Sequence, residues 1–242
     1  MLSIKNLTVT VQEKQVLNKV SMQFSPGKNY AVIGPNGSGK SSLAMTIMGN
    51  PKYGVQSGEC RMQSGKKTID ILKLLPHERA KLGIFLAFQH IPEIKGVKVF
   101  EFLRSLYDAK NGTATSFLQF KTIIEPMLAE IKLDKDFLRR EVNVGFSGGE
   151  RRKLEILQLK LLQPTYIFLD EIDSGLDVDA FKTIAKLLAK INNGKNSLII
   201  ITHLFKIIEH IPIDEVFIME NGAIKTKGDK KLIEKIKKEG FN

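Results

Sequence analysis

Two glycine-rich stretches, far apart in the chain, combine the residue types that bind anions. The first, GPNGSGKSS, spans residues 34–42, and the second, GFSGGERRK, spans residues 145–153. Glycines allow consecutive backbone N–H groups to point inward around an anion, and a helix that follows adds the positive end of its dipole. Both stretches therefore predict a site for a negatively charged group.

The first stretch has the spacing of a phosphate-binding loop. Gly34 and Gly39 frame it, and Lys40 and Ser41 follow directly, a pattern that cradles the phosphates of a nucleoside triphosphate. We expect Lys40 to contact the β- and γ-phosphates and the Ser41 hydroxyl to ligate Mg²⁺. A purely structural glycine turn would leave unexplained a lysine at a helix N-terminus, which repels cations. We assign nucleotide binding to the whole loop: Gly34, Pro35, Asn36, Gly37, Ser38, Gly39, Lys40, Ser41 and Ser42.

An acidic pair downstream supplies the second requirement of such a site. The apolar run at residues 166–169 ends in Asp170 and Glu171. We expect Asp170 to hold Mg²⁺, directly or through water, and Glu171 to polarise the attacking water. The sequence therefore predicts hydrolysis of the nucleotide and not only its storage.

The elements that must position these residues follow from hydrophobic periodicity. The first loop lies between a buried strand and a helix, as phosphate binding requires. Alternating strands and helices later in the chain predict parallel pairing with right-handed crossovers. We predict strands at residues 3–11, 15–24, 29–34, 58–69 (a pair), 84–88, 165–174, 197–203 and 215–222. We predict helices at residues 41–48, 99–109, 117–133, 150–163, 179–193 and 204–211. The stretch from residue 92 to residue 144 is predicted to be mainly helical.

Composition narrows the class of protein. The chain has 242 residues, 43% of them hydrophobic and 26% charged, which favours a folded protein with a full core. Its apolar runs are too short to cross a bilayer, and its first residues lack a signal or transit pattern, so we expect no membrane insertion and no export. The single cysteine, Cys60, excludes an intrachain disulfide and fits a reducing compartment.

The net charge of +11 could suit nucleic acid, an anionic membrane surface or an acidic partner. The excess is diffuse, and its densest part is the tail at residues 225–240, where Leu232, Ile233 and Ile236 are spaced like one face of a short helix. The chain has no tryptophan and no basic run interleaved with aromatic residues. We therefore expect a solvated terminal helix, with a docking surface as the alternative, and no nucleic-acid partner.

Six motifs in one order resemble the ATP-binding cassette (ABC) ATPase family. They are GPNGSGKSS, Gln89 after the apolar strand GIFLAFQ, FSGGE, FLDE, SGLD at residues 174–177, and ITH ending in His203. The resemblance implies an α/β fold with a RecA-like core, an N-terminal antiparallel β subdomain and a helical lobe inserted at about residues 92–147 of one domain spanning 1–242. It also implies ATP and Mg²⁺ as ligands.

By the same resemblance, two cassettes pack head to tail around the nucleotides. The loop FSGGE, called the signature loop below, would bind in trans, so Ser147, Gly148 and Gly149 would contact ATP held by the Lys40 loop of a second copy. Gln89 would sense Mg²⁺ and the attacking water, Asp177 would lie in a loop that crosses the dimer interface, and His203 would contact the γ-phosphate.

The chain departs from the family pattern at several positions. Val11 stands near the usual position of an aromatic residue that stacks on adenine, and valine has no π-face, so we expect weaker selection for adenine. The signature loop begins with Phe146 and ends with Glu150, where transporters usually have Leu and Gln. Ile172 and Asp173 precede SGLD, where transporters usually have Pro-Thr.

These departures resemble the cassettes of the SUF iron–sulfur cluster assembly system, most clearly in NVGFSGGERRKLEILQL and LDEIDSGLDVDA. The resemblance implies partners of the SufB and SufD type, docking near residues 89–106, and work in a bacterial cytoplasm or a plastid or apicoplast stroma. Two alternatives remain: the nucleotide-binding subunit of a membrane transporter, and a DNA-repair or ribosome-associated cassette.

Three cations follow the signature loop, and one of them suggests a regulatory contact. We hypothesise that Arg152 pairs with Glu171 in the resting monomer and holds it away from the nucleotide, and that dimerisation releases it. A solvated helix face formed by Arg151, Arg152 and Lys153 is the alternative, since surface ion pairs contribute little.

Overall fold

The computed structural model describes residues 1–203 and 205–240. It divides into two compact units, which are described separately. The first consists of Met1–Phe88, Pro164–Ile172 and the described part of Asn192–Asn242, and the second of Gln89–Gln163 and Asp173–Ile191. We still propose, as from the sequence, that the whole chain forms one domain with a lobe inserted at about residues 92–147.

The first unit contains two sheets flanked by helices. Its strands are β1 (Leu2–Val11), β2 (Lys14–Phe24), β3 (Tyr30–Ile33), β4 (Gly54–Ser64), β5 (Lys67–Asp70), β6 (Ile84–Ala87), β9 (Tyr166–Asp170), β10 (Ser197–Thr202), β11 (Glu215–Glu220) and β12 (Ala223–Gly228). Its helices are α1 (Lys40–Met48), α2 (Pro76–Lys81) and α7 (Lys230–Glu239), with short 3-10 helices at Ile71–Lys73 and Ile207–Glu209.

One sheet is antiparallel and the other mainly parallel. The antiparallel sheet has the order β2-β1-β4-β5, and the second sheet has the order β12-β11-β3-β10-β9-β6. Within the second sheet, β11, β3, β10, β9 and β6 are parallel and β12 is antiparallel to β11. The predicted α/β class, the antiparallel N-terminal part and the parallel core are confirmed.

The parallel sheet explains why distant residues of the chain meet. The carboxyl ends of β3, β9 and β10 lead into the first glycine loop, Asp170 and His203, and these three strands are neighbours. Carboxyl ends of parallel strands share one edge, where ligands bind in open α/β sheets. That edge carries the candidate chemistry of the first unit.

The core of the first unit lies between its sheets and α1. Phe24 is fully buried and makes edge contacts with Tyr30 and Phe168 at ring centroid distances of 4.9 and 5.7 Å. Cys60 on β4 belongs to this core, and burial raises the pKa of its thiol to about 12. The thiol therefore stays protonated, and its side chain packs in the core.

The second unit is mainly helical. It contains β7 (Ile94–Lys98), α3 (Val99–Asn111), α4 (Phe117–Glu130), a 3-10 helix at Lys135–Arg139, β8 (Glu141–Val142), α5 (Gly148–Leu162) and α6 (Val178–Ile191). β7 and β8 pair in an antiparallel two-stranded sheet. Within the described residues, no helix has the length and apolar character needed to span a membrane.

Several predicted elements were wrong. The helical stretch expected from residue 92 begins only at Val99, because residues 94–98 pair with β8. The helix expected at 204–211 is a 3-10 helix at Ile207–Glu209, and Leu204 lies outside the described residues. Pro212 disfavours a helical backbone at residue 211, the last residue of the predicted helix. β12 was not foreseen, because its lysine-rich sequence is typical of a solvated tail and only pairing with β11 makes it a strand.

Candidate functional site

The first glycine loop joins β3 to α1 with a backbone that glycine permits. Gly37 and Gly39 have φ angles of +78° and +99°, which glycine adopts at little cost. At Gly34, a Cβ atom would lie 2.2 Å from the carbonyl oxygen of Met219. At Gly39, a Cβ atom would lie 2.8 Å from the carbonyl oxygen of Val16, so the loop passes too close to its neighbours for a side chain at either of these two glycines.

Lys40 is the first residue of α1 and is only 4% exposed. Its Nζ donates hydrogen bonds to the carbonyl oxygens of Gly34 and Pro35 at 2.8 and 2.9 Å and lies 3.5 Å from Ser38 Oγ. Burial lowers the pKa of Lys40, and the charges of Glu171 and Asp170 act in the opposite direction. The ammonium group thus lies among the loop oxygens, within the electrostatic reach of both carboxylates.

The next residue, Ser41, contacts the acidic pair. Its hydroxyl donates to Asp170 Oδ1 at 3.0 Å, and Asp170, the last residue of β9, is fully buried. A hydroxyl and a carboxylate are the oxygen ligands that Mg²⁺ prefers. Within the described residues, no group of three His, Cys, Asp or Glu side chains is placed to hold a metal, and Ser41 with Asp170 gives two oxygen ligands from the protein. The residues present therefore fit Mg²⁺ bound with a nucleotide.

Glu171 and His203 form a pair beside this site. His203 Nδ1 lies 2.9 Å from Glu171 Oε1, and the two side chains are 34% (His203) and 10% (Glu171) exposed. Glu171 has a φ of +45°, and its N–H donates to the carbonyl oxygen of Ile201 at 2.9 Å. A left-handed backbone at a non-glycine residue is uncommon and occurs often at functional sites. This conformation follows directly after Asp170, the last residue of β9.

The second glycine stretch begins α5 in the second unit. Ser147 is the N-cap: its side chain accepts from the Glu150 N–H at 3.2 Å, while Glu150 Oε2 accepts from the Ser147 N–H at 2.9 Å. This is a reciprocal capping box. The pattern Ser-x-x-Glu is the sequence signal that could have predicted it, whereas the family resemblance implied only a phosphate contact for Ser147.

Arg140 accounts for the two departures within the signature loop. Its guanidinium lies 4.2 Å from the centroid of the Phe146 ring, forms an ion pair with Glu150, and donates to the carbonyl oxygen of Gly145 at 3.2 Å. The carboxylate of Glu150 also loses solvent, which would raise its pKa, but Arg140 and Ser147 bring the net shift downward. Phe146 and Glu150 thus share one cationic partner.

The structure brings together four residues expected to act in trans. Ser147, Gly148, Gly149 and Asp177 border one cavity of about 400 Å³, called the signature cavity below. A Cβ atom on Gly148 would lie 3.0 Å from the carbonyl oxygen of Gly175, so the start of α5 and the SGLD loop approach closely. Asp177 Oδ1 accepts from the Ala180 N–H at 2.7 Å and caps the start of α6.

The remaining predicted residues are distributed between the units. Gln89 is half-buried at the start of the second unit, whereas Ser41 and Asp170 belong to the first. Arg152 pairs with Glu155 at 2.7 Å, with both side chains buried, so the alternative of a solvated cationic face is wrong for this residue. Glu171 pairs with His203 in its own unit. The hypothesis that Arg152 restrains Glu171 stays a prediction.

At one sheet edge, the first unit therefore has residues that can bind a triphosphate and a divalent cation. The same edge carries a carboxylate that can act as a base. The second unit offers neutral donors at a helix N-terminus, which can complete an anion-binding site.

Comparisons with known proteins identify the family of the chain. A family model described as ABC transporter matches residues 17–174. The chain is 42% identical to the "Probable ATP-dependent transporter ycf16" of Antithamnion sp., with 100% of this chain and 96% of that protein aligned. It is 40% identical to the "Probable ATP-dependent transporter SufC" of Escherichia coli strain K12, covering 100% of this chain and 97% of the relative.

Solved structures share the fold. The ATP-binding cassette MJ0796, in a dimeric post-hydrolysis state bound to ADP and Pi, superposes with a TM-score of 0.79 over 95% of this chain and 98% of that chain, at 21% identity. At this identity the likeness concerns the fold alone.

Proposed function

This chain belongs to the ABC transporter family, in the group with SufC and ycf16 proteins, and is an ATPase; we propose that it hydrolyses ATP at a head-to-tail dimer interface to rearrange a scaffold that assembles iron–sulfur clusters. The observation that carries the catalytic part is the sheet edge where Lys40, Asp170 and Glu171 converge beside a glycine loop. The assembly role is supported by the full-length similarity to SufC.

In the proposed reaction, the loop of residues 34–42 binds the triphosphate, with Lys40 exchanging carbonyl oxygens for phosphate oxygens. Ser41 and Asp170 would hold Mg²⁺, with Gln89 as the residue that senses it; the ion neutralises phosphate charge when bound. Glu171 accepts the proton of the attacking water, and His203 orients Glu171 through the contact at 2.9 Å and then contacts the γ-phosphate.

A second copy would complete the site. Ser147, Gly148 and Gly149 would donate to the γ-phosphate held by the other chain, and Asp177 would lie at the interface. ATP binding would then favour the closed dimer, and hydrolysis would remove the bridge between the copies. Subunits attached to each copy would move with this cycle.

We propose docking of SufB- and SufD-type subunits on the second unit near residues 89–106. Ile94 is 37% exposed there, and the neighbouring Phe117 is 52% exposed. Phe117 packs on Phe100 at a centroid distance of 4.6 Å and lines a groove of about 360 Å³ with Lys98. The lining of this groove carries four basic and two acidic side chains together with its apolar residues. An apolar groove with a net positive charge suits an amphipathic segment that carries carboxylates.

The test is recovery of partners from native extract. Tagged protein, purified anaerobically, should retain soluble SufB- and SufD-like subunits, and iron and sulfide should be found on those subunits and not on this chain. A Phe117→Asp variant should lose them, whereas Val55→Asp, which alters an apolar side chain of similar exposure (39%) on the antiparallel sheet, should retain them. Recovery without iron–sulfur scaffold subunits would contradict the assembly role.

The second candidate function is the nucleotide-binding subunit of a membrane transporter. It is favoured by the names of the relatives, both of which are described as probable ATP-dependent transporters. Capture of an integral membrane permease in the same experiment would establish it and leave the nucleotide-site assignments unchanged. For the compartment, we propose a bacterial cytoplasm or a plastid or apicoplast stroma.

A further inference from the structure

The signature cavity carries charges of both signs. Its ionisable lining residues, within the described part of the chain, are two lysines and three acids: Lys132, Lys153, Glu150, Asp177 and Asp179. Without the lysines, every charged side chain on this lining would be a carboxylate. A triphosphate approaching such a surface would be repelled.

Two of the acids have structural roles that keep them in place. Glu150 accepts from the Ser147 N–H and pairs with Arg140. Asp177 accepts from the Ala180 N–H at the start of α6. Arg140 already offsets the charge of Glu150. Asp177 and Asp179 add two further carboxylates to the lining, and a nucleotide site here needs cations to offset them.

The arginines that follow the signature loop have partners elsewhere in the second unit. Arg151 pairs with Glu93 at 3.0 Å, and Arg152 pairs with the buried Glu155 at 2.7 Å. Neither arginine lines the signature cavity. The cavity's positive charge is thus provided by the two lysines.

These two lysines are linked through the backbone. Lys153 Nζ donates to the carbonyl oxygen of Lys132 at 3.0 Å, and Lys132 has a φ of +55° just after α4. Lys132 is exposed and Lys153 half-buried. The contact fixes the segment that carries Lys132 to the first turns of α5, so both lysines border the cavity that Ser147 also lines.

We propose that Lys132 and Lys153 provide the positive charge by which the signature cavity attracts the nucleotide held by a second copy, and so set the strength of ATP-dependent dimerisation. This inference rests on the proposed function, in which the signature loop acts in trans. The lysines supply long-range attraction, while the neutral donors of Ser147 and Gly149 supply directed hydrogen bonds. They are positioning residues, since hydrolysis is assigned to the first unit.

The test measures dimerisation by sedimentation in the Glu171→Gln background, which should hold ATP without rapid turnover. Lys132→Ala and Lys153→Ala are each compared with Lys190→Ala, a matched loss of charge at the exposed end of α6. We expect each cavity variant to weaken dimerisation by about three- to tenfold and the double variant by about tenfold or more, with Lys190→Ala within about twofold of the parent.

Three further readouts separate an electrostatic role from a structural one. Arginine at either position should restore dimerisation, and high salt should reduce the difference between parent and variants. ATP affinity of the monomer, measured at low protein concentration, should stay unchanged. A double variant that dimerises like Lys190→Ala would overturn the inference while leaving the proposed function intact. If the parent itself does not dimerise with ATP, the proposed function fails and the inference fails with it.

Discussion

At the scale of single residues, Arg140 explains why the signature loop can differ from the transporter pattern. An aromatic ring at position 146 and a carboxylate at position 150 both contact its guanidinium. A leucine at position 146 would lose the cation–π contact, and a glutamine at position 150 would lose the negative charge of the ion pair. The two departures are therefore parts of one interaction that holds the loop against residue 140.

Replacing Arg140 by Ala should loosen the loop. We expect a loss of about 1–2 kcal/mol in the free energy of unfolding, since the ion pair is partly exposed and the cation–π contact is of ordinary strength. The ATPase activity of the dimer should fall by more than the loss of folded protein explains. The control is Arg139→Ala, because Arg139 pairs with Asp136 and both side chains are highly exposed. Denaturant unfolding and ATPase rates would check this, and equal behaviour of both variants would contradict it.

At the scale of elements, two helices begin with the same capping box but different tasks. Ser116 caps α4 and exchanges hydrogen bonds with Gln119, while Ser147 caps α5 and exchanges them with Glu150. Of these two serines, only Ser147 borders the signature cavity. A comparison of variants at these two serines therefore distinguishes the structural role of a cap from a role in binding.

Alanine at either serine should cost about 1 kcal/mol of stability, since each removes a cap hydrogen bond. Only Ser147→Ala should also reduce ATPase activity and ATP-dependent dimerisation, because in the proposed dimer its hydroxyl would also donate to the nucleotide. Thermal unfolding and turnover of both variants form the measurement. Equal activity of the two variants would show that Ser147 acts only as a cap.

Arg79 on α2 holds the other end of the nucleotide-binding helix. It is 5% exposed, and its guanidinium donates to the carbonyl oxygens of Thr46, Ile47 and Leu74 at 2.8, 2.9 and 2.9 Å. Two of these acceptors lie in the last turn of α1, whose carbonyl groups have no partner within the helix. Burial lowers the pKa of Arg79, and these hydrogen bonds compensate for its desolvation.

Arg79→Met should therefore lower the free energy of unfolding by about 3 kcal/mol, because several carbonyl groups lose the buried guanidinium as a donor at once. The carbonyl oxygen of Thr46 keeps the Gly49 N–H as a donor at 3.0 Å. Arg61→Met on β4 is the matched control: Arg61 pairs with Glu59 at 2.9 Å in an exposed position and should change stability by less than about 1 kcal/mol. Chemical denaturation of both variants would measure this difference. Equal losses in the free energy of unfolding would refute a special role for Arg79.

The sequence predicted the strand–loop–helix around Lys40 and the acidic pair at the end of β9, because local patterns determine both. It did not predict the role of Arg79 or of Arg140, since their partners are distant in sequence and are backbone carbonyl groups or residues placed by tertiary packing. The same reason explains β12, whose pairing with β11 overrides a polar composition. The contact between Glu171 and His203 also required the strand order, which brings β9 and β10 together.

At the scale of the whole molecule, the chemistry is divided between the two units. Lys40, Asp170, Glu171 and His203 belong to the first, and Ser147 and Asp177 belong to the second. In the proposed dimer, a complete site takes its first half from one chain and its second half from another. Neither half would then act without a second copy.

The most direct measurement of this claim is the ATPase activity of mixed variants. Lys40→Ala removes the first half of the site, and Ser147→Arg blocks the second, so each variant alone should be inactive. A mixed dimer contains one complete site, formed by Lys40 of one chain and Ser147 of the other. We predict that mixing restores activity to roughly a quarter of the unaltered protein at equal ratio, since about half of the dimers are mixed and each has one of two sites. Mixtures that stay inactive at every ratio and protein concentration would contradict a site shared between two chains.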